Sequence, residues 1–219
     1  MRLGSRQVEE LMLARHGIER RVAFRGRLEH LRRLGCPVGV NTGKGRPATF
    51  DWPQLIELAF ALDLMELGLS PEFSSSVLKA NREKLFVGTT HLFSDETSVN
   101  ELCVASDNGK WPLKFSTFVR INVHALSGLM PDGEQQIPTL QLIHGHKLEA
   151  WFRDAPEHKA ANVIIDLGSK VVGLLTLISL HNLTPREEVA DDLLNWTAKF
   201  RSELWNALAA NEKNHDVHS

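Results

Sequence analysis

An α+β fold follows from three features of the 219-residue sequence. Apolar residues recur at helical spacing from Val8 to about Lys84. From Phe86 they gather in short β-branched or aromatic segments set between turn clusters. A 3.6-residue period then returns over Val189 to Leu208. The expected order is a helical N-terminal unit, residues 1–84, followed by an α+β domain, residues 85–219, with antiparallel strands and a long C-terminal helix.

The first helix is expected over Ser5 to His16. Val8, Leu11 and Met12 form its apolar stripe, Ser5 is its N-cap, Glu9 and Glu10 lie in its early turns, and Gly17 ends it. A second helix is expected from about Glu19 to Leu34. Phe24, Leu28, Leu31 and Leu34 make one stripe, while Arg21, Arg25 and Arg32 project from the other side. Two short helices joined by a Gly-containing turn, the second rich in arginine, read as a helix-turn-helix. The glycines of Val38 to Phe50, with the tip Asn41-Thr42-Gly43, point to a small hairpin, a wing carrying Lys44 and Arg46. Asp51 then caps a helix with Pro53 in its first turn, and Leu55, Ile56, Ala59, Leu62 and Met65 form its apolar face up to Gly68. Ser70-Pro71-Glu72 starts another helix, running to about Lys84.

Beyond it, Phe86 to Phe93, Glu101 to Ala105, Phe115 to Val123 and Leu140 to Ile143 are predicted as antiparallel strands. Turn clusters such as Ser106-Asp107-Asn108-Gly109 separate them. Asn162 to Leu167 is predicted as a further strand, with a helix from about Ser169 to Leu180 and a closing helix from Val189 to Leu208.

Charge is the most informative property of the chain. The first 47 residues hold 11 Lys and Arg against four Asp and Glu, a net +7; the remaining 172 hold 14 against 23, a net −9. A basic head on an acidic body is the electrostatic footprint of nucleic-acid binding, because Arg and Lys on phosphates supply the sequence-independent affinity. Arg20, Arg21, Arg25, Arg27, Arg32 and Arg33 lie on or beside one helix, and Lys44 and Arg46 on the loop after it. A helix fits the major groove, and a two-stranded wing can follow the adjacent backbone. Arg20, Arg21, Arg25 and Arg27 are therefore expected to touch bases and phosphates, and Lys44 and Arg46 to position the phosphates. A solvated charged helix, with Glu19 and Glu29 pairing some of the arginines, is the competing account, but it cannot absorb so large an excess.

The stretch Gly45-Arg46-Pro47-Ala48-Thr49-Phe50-Asp51-Trp52-Pro53-Gln54-Leu55, with Leu62-Asp63-Leu64-Met65-Glu66-Leu67-Gly68-Leu69-Ser70-Pro71-Glu72, resembles the wing-to-third-helix passage of the mercury-resistance (MerR) family of winged-helix regulators. The resemblance covers about residues 5–83. It implies a winged helix-turn-helix that binds double-stranded DNA and regulates transcription as a homodimer, with RNA polymerase as a further partner. That family's long dimerisation helix does not follow the head directly here, so the dimer contact is expected on the Leu55 to Leu67 helix or the Trp196 to Leu208 helix, whose Trp205 lies off the main stripe.

Other chemistries find little support. The Gly43-Lys44-Gly45 stretch lacks the P-loop arrangement, and no nucleophile and base stand at a recognisable spacing, so no catalytic residues, cofactor or enzymatic activity are expected. His144 and His146 hold two metal ligands where zinc needs three or four, so no metal site is expected. Cys36 and Cys103 are read as buried thiols. Trp111, Trp151, Phe115 and Phe118 are read as core, with a ligand cavity as the alternative. No run is long and apolar enough to span a membrane, and Arg6, Glu9, Glu10 and Arg15 break up any signal-peptide core, so a cytoplasmic protein is expected. Two other function classes remain open: an adaptor that docks an acidic protein, and a sensor with a ligand pocket in the C-terminal domain.

Overall fold

The computed structural model describes residues 1–40, 47–93, 96–108, 116–122, 139–154 and 162–216. The chain mixes helices with two small antiparallel sheets. Strand β1 (Leu3–Gly4) leads into α1 (Ser5–His16), α2 (Arg21–Arg33), β2 (Thr49–Phe50), α3 (Trp52–Glu66) and α4 (Pro71–Thr90). Then come α5 (Val99–Asn108), β3 (Thr117–Asn122), β4 (Gln141–His144), α6 (Leu148–Asp154), β5 (Asn162–Asp166), α7 (Leu167–Leu180) and α8 (Arg186–Asp216).

Helix α1 has the expected bounds, but Gly4 rather than Ser5 is its N-cap, with the Gln7 side chain accepting from the Gly4 N–H at 2.8 Å. Gly17, at φ 59°, closes it in the left-handed conformation that a side chain would disfavour. Helix α2 starts two residues later than expected and buries Phe24, Leu28 and Leu31. The expected pairing inside the wing is corrected: Val38 to Val40 form no strand, and Thr49–Phe50 pairs antiparallel with Leu3–Gly4. The wing tip, with Lys44 and Arg46, lies outside the described residues.

Helix α3 is capped as expected, Asp51 and Gln54 bonding reciprocally to backbone N–H groups. Every residue from Leu55 to Leu64 is buried, including Glu57 and Asp63. Its apolar surface from Leu55 to Leu64 is covered by its own chain, while Leu67 beyond its end is half-exposed. One continuous core joins α1, α2, α3 and α4 to α5, β3, α7 and the start of α8, and so crosses residue 84 without a break.

Two predicted strands are helices. Phe86 to Phe93 was expected as a strand because of Val87, Thr89 and Thr90, yet α4 continues to Thr90. The Thr89 and Thr90 hydroxyls donate back to the carbonyls of Leu85 (2.9 Å) and Val87 (2.8 Å), which adapts these residues to a helix. The period does change, but as a kink at Asn81, whose φ and ψ of −122° and 15° are not helical. The Asn81 amide donates to the Val77 carbonyl at 2.8 Å and accepts from Leu140 N at 2.9 Å, locking the kink to the approach to β4. Glu101 to Ala105 lies within α5. Here Ser98 and Glu101 cap one another: Glu101 N donates to Ser98 Oγ at 3.2 Å, and Ser98 N to Glu101 Oε2 at 2.8 Å.

Strands β3, β4 and β5 and helices α7 and α8 agree in type with expectation, whereas α6 was not expected. The second sheet has the order β4-β3-β5, all antiparallel, with Val119 opposite Leu142 on one side and Ile165 on the other. Helix α4 passes close above it at Gly88, where a Cβ would stand 2.8 Å from Leu142 Cδ2. Asp166 caps α7, accepting from Ser169 N at 3.2 Å. Helix α8 is longer at both ends than the expected Val189 to Leu208. Among the described residues, no helix is long and apolar enough to cross a membrane.

Candidate nucleic-acid interface

Helix α2 carries most of the arginines singled out by the sequence, and two neighbouring helices hold it in place. On α1, Glu9 receives the Arg25 guanidinium as a fork, Nε at 2.8 Å and Nη2 at 3.0 Å. On α4, Glu72 Oε1 lies 2.7 Å from His30 Nε2. The C-terminal carbonyl of Leu34 accepts from Ser75 Oγ at 3.4 Å and from the Lys79 ammonium, a cation where the helix dipole favours one.

These ties sort the predicted contact residues. Arg20, Arg21, Arg27 and Arg33 are exposed, and no carboxylate among the described residues pairs with any of them. Arg25 is exposed and forks onto Glu9. At about 100° per residue, Arg25 and Arg32 stand roughly 80–100° from Phe24, on the flank facing α1 rather than opposite the core. Val22, Gly26, Glu29 and Arg33, all exposed, occupy the outermost face. Arg32 is half-buried, and its Nε has no acceptor.

The Arg25 fork, with help from Arg21 and Arg6, holds the Glu9 carboxyl below its ordinary value of 4.5 against the opposing effect of burial. Glu9 therefore contributes stability that is fully present above that value and is lost as pH falls through the lowered one. The difference in urea midpoint between the wild type and Glu9→Gln is expected to be constant above about pH 5 and to shrink on further acidification. A difference independent of pH would show that the fork does not set the titration.

The segments on either side of the expected wing are both anchored. Before it, Val38 N donates to Glu57 Oε2 at 2.7 Å, and the Val38 carbonyl accepts from Gln54 Nε2 at 3.4 Å. After it, Thr49–Phe50 is paired into the sheet with β1. Glu57 is 1 % exposed; burial pushes its carboxyl up, while the Val38 N–H and Arg82 work against that shift. Sequence reasoning missed this carboxylate, because a Glu inside an apolar helix reads as an exposed position. The neighbouring Cys36 thiol is pushed up to about 12, chiefly by burial, while Cys103 is only half-buried.

His144 closes β4, and His146 lies in the single 3-10 turn after it. The His144 and His146 rings stack at 5.8 Å between centroids, and His91, from the end of α4, lies 5.1 Å from His144. Among the described residues, the metal-type ligands that converge are instead His16, Asp63 and Glu66, all within 4.8 Å of one another. His16 Nδ1 is bonded to Glu66 Oε1 at 2.6 Å, while Asp63 accepts from Arg15 at 3.3 Å and Lys170 at 2.9 Å. Two cations thus already answer Asp63, and the cluster is an ionic bridge joining α1 and α3 to α7. Phe118 is buried, Trp151 is half-buried with the Arg120 guanidinium 5.0 Å from its ring centre, and Trp111 and Phe115 lie outside the described residues. No protein-family model matches the chain, and comparison with curated proteins and with solved structures finds no match.

Proposed function

We propose that the chain is a sequence-specific, double-stranded DNA-binding transcriptional regulator without catalytic activity, using a MerR-like winged helix and acting as a homodimer. The observation that carries this reading is the net charge of +7 over residues 1–47, together with four exposed arginines on or just before α2 (Arg20, Arg21, Arg27 and Arg33) that no described carboxylate pairs. Arg20, Arg21 and Arg27 contact bases and phosphates, and Lys44 and Arg46 meet the backbone. The anchoring of α2 by both α1 and α4 favours this, since base reading needs a rigid rod. For the homodimer, the supporting feature is the distal part of α8, where Trp205 is 69 % and Leu208 50 % exposed.

Capture of genomic fragments by the purified protein, followed by sequencing, tests both parts together. The expected result is enrichment of paired half-sites one helical turn, or a multiple of it, apart. Uniform recovery across sequences would overturn specificity, and single half-sites would overturn the dimer. Lys44→Ala is expected to weaken binding about equally on all sequences and to reduce the slope of log affinity against log salt by roughly 1, measured by fluorescence anisotropy.

A further inference from the structure

Between α1 and α2 lies a cavity of about 280 Å³ that the proposed DNA contacts do not use. Its floor is apolar, formed by Val8, Leu28, Phe50 and Leu58, each 8 % exposed or less. Its rim carries Arg6, Arg25 and Arg32 against Glu9 and Glu29, a net positive charge. Arg25 is satisfied by Glu9, and Arg6 reaches Glu10 at 3.3 Å. Among the described residues Arg32 forms no ion pair, and its Nε is buried without an acceptor. Buried guanidinium donors are as a rule answered, so an unanswered one at the edge of an apolar cavity marks where an anionic group would gain most.

We propose that this crevice binds a small amphipathic carboxylate, a single aromatic ring or a short branched chain carrying one negative charge. The carboxylate lies on Arg32, and the apolar body covers Phe50 and Leu28. At about 280 Å³ the crevice is close to the lower limit of ordinary small-molecule sites, which favours a ligand the size of benzoate. A DNA phosphate would satisfy Arg32 equally well but has no apolar part to cover the floor. Because Arg25 and Arg32 share one flank of α2, the bound carboxylate would add a second tie between α2 and α1 beside the Glu9 fork. Occupancy of the crevice does not depend on the DNA-binding reading.

The test uses the full chain, with benzoate as probe and benzyl alcohol and inorganic phosphate as controls, followed by calorimetry and by methyl NMR. Benzoate is expected to bind and raise the Tm, and to shift the methyl signals of Val8, Leu28 and Leu58 more than those of the α7 leucines. Benzyl alcohol and phosphate are expected to do neither. Arg32→Met, which keeps the aliphatic stem, is expected to weaken benzoate binding at least about 10-fold with the unliganded Tm unchanged. Equal binding of benzyl alcohol, unaltered affinity in Arg32→Met, or a phosphate shift that this variant abolishes would overturn the proposal; the last would assign Arg32 to the DNA backbone. Should Arg32→Met fail to fold, the methyl shifts of the wild type decide, and their absence at saturating benzoate overturns it. Benzoate binding by a protein that captures no specific DNA would count against the regulator reading alone.

Discussion

Replacing Arg20, Arg21 and Arg27 together by glutamine is expected to lower affinity for the captured operator at least about 100-fold, and to flatten the preference for it over random DNA. Each arginine that forks onto a guanine supplies about a tenfold preference or more, and each one on a phosphate adds to the salt-dependent part. These three side chains are exposed, no described carboxylate is paired with them, and they hold no neighbouring element in place. The variant should therefore keep the wild-type Tm, so that lost binding cannot be ascribed to lost structure. Arg25→Gln is the contrasting case. It releases Glu9, and its effect is expected in the unfolding curve before the binding curve. Unchanged operator affinity in the triple variant, with the fold intact, would place the interface elsewhere.

The second large effect is expected in the core. Phe60 is 2 % exposed and sits at the middle of α3, enclosed on all sides by its own chain. Phe60→Ala removes most of a ring from a site that cannot collapse, and is expected to cost about 3–5 kcal/mol in urea unfolding. The loss should be the same at low and high protein concentration. A concentration-dependent loss would mean that α3 meets a second subunit, contrary to its complete intramolecular burial.

Much of the helical head was legible because its signals agree with one another. Ser5 to His16, the Gly17 stop, the Asp51 cap and the Pro53 first turn all point to the same boundaries, and the structure follows them closely. The region after Lys84 misled because side-chain type was weighed above spacing. Val77, Leu78, Leu85 and Phe86 keep a helical interval across Asn81, and burial on one face outweighs the strand preference of Val87, Thr89 and Thr90. At Ser98 the reciprocal Ser-x-x-Glu cap was present in the sequence, and Cys103 and Val104 obscured it. The candidate interface was legible as a charge excess but not as a geometry. Nothing local in sequence links Glu9 to Arg25, sixteen residues on, or brings Glu57 beneath Val38. Both depend on how three helices pack.

The bridge of Arg15, Asp63 and Lys170 bears on how binding isotherms at different ionic strengths are interpreted. Its Arg15 and Asp63 side chains are 8 % and 5 % exposed, where mobile ions hardly penetrate, while Lys170 at the rim is 40 % exposed; Arg20, Arg21 and Arg27 stand in solvent. Added electrolyte therefore weakens the outer arginines while leaving the seam between α1, α3 and α7 closed. A linear decline of affinity with salt then counts displaced counterions, with no contribution from that seam.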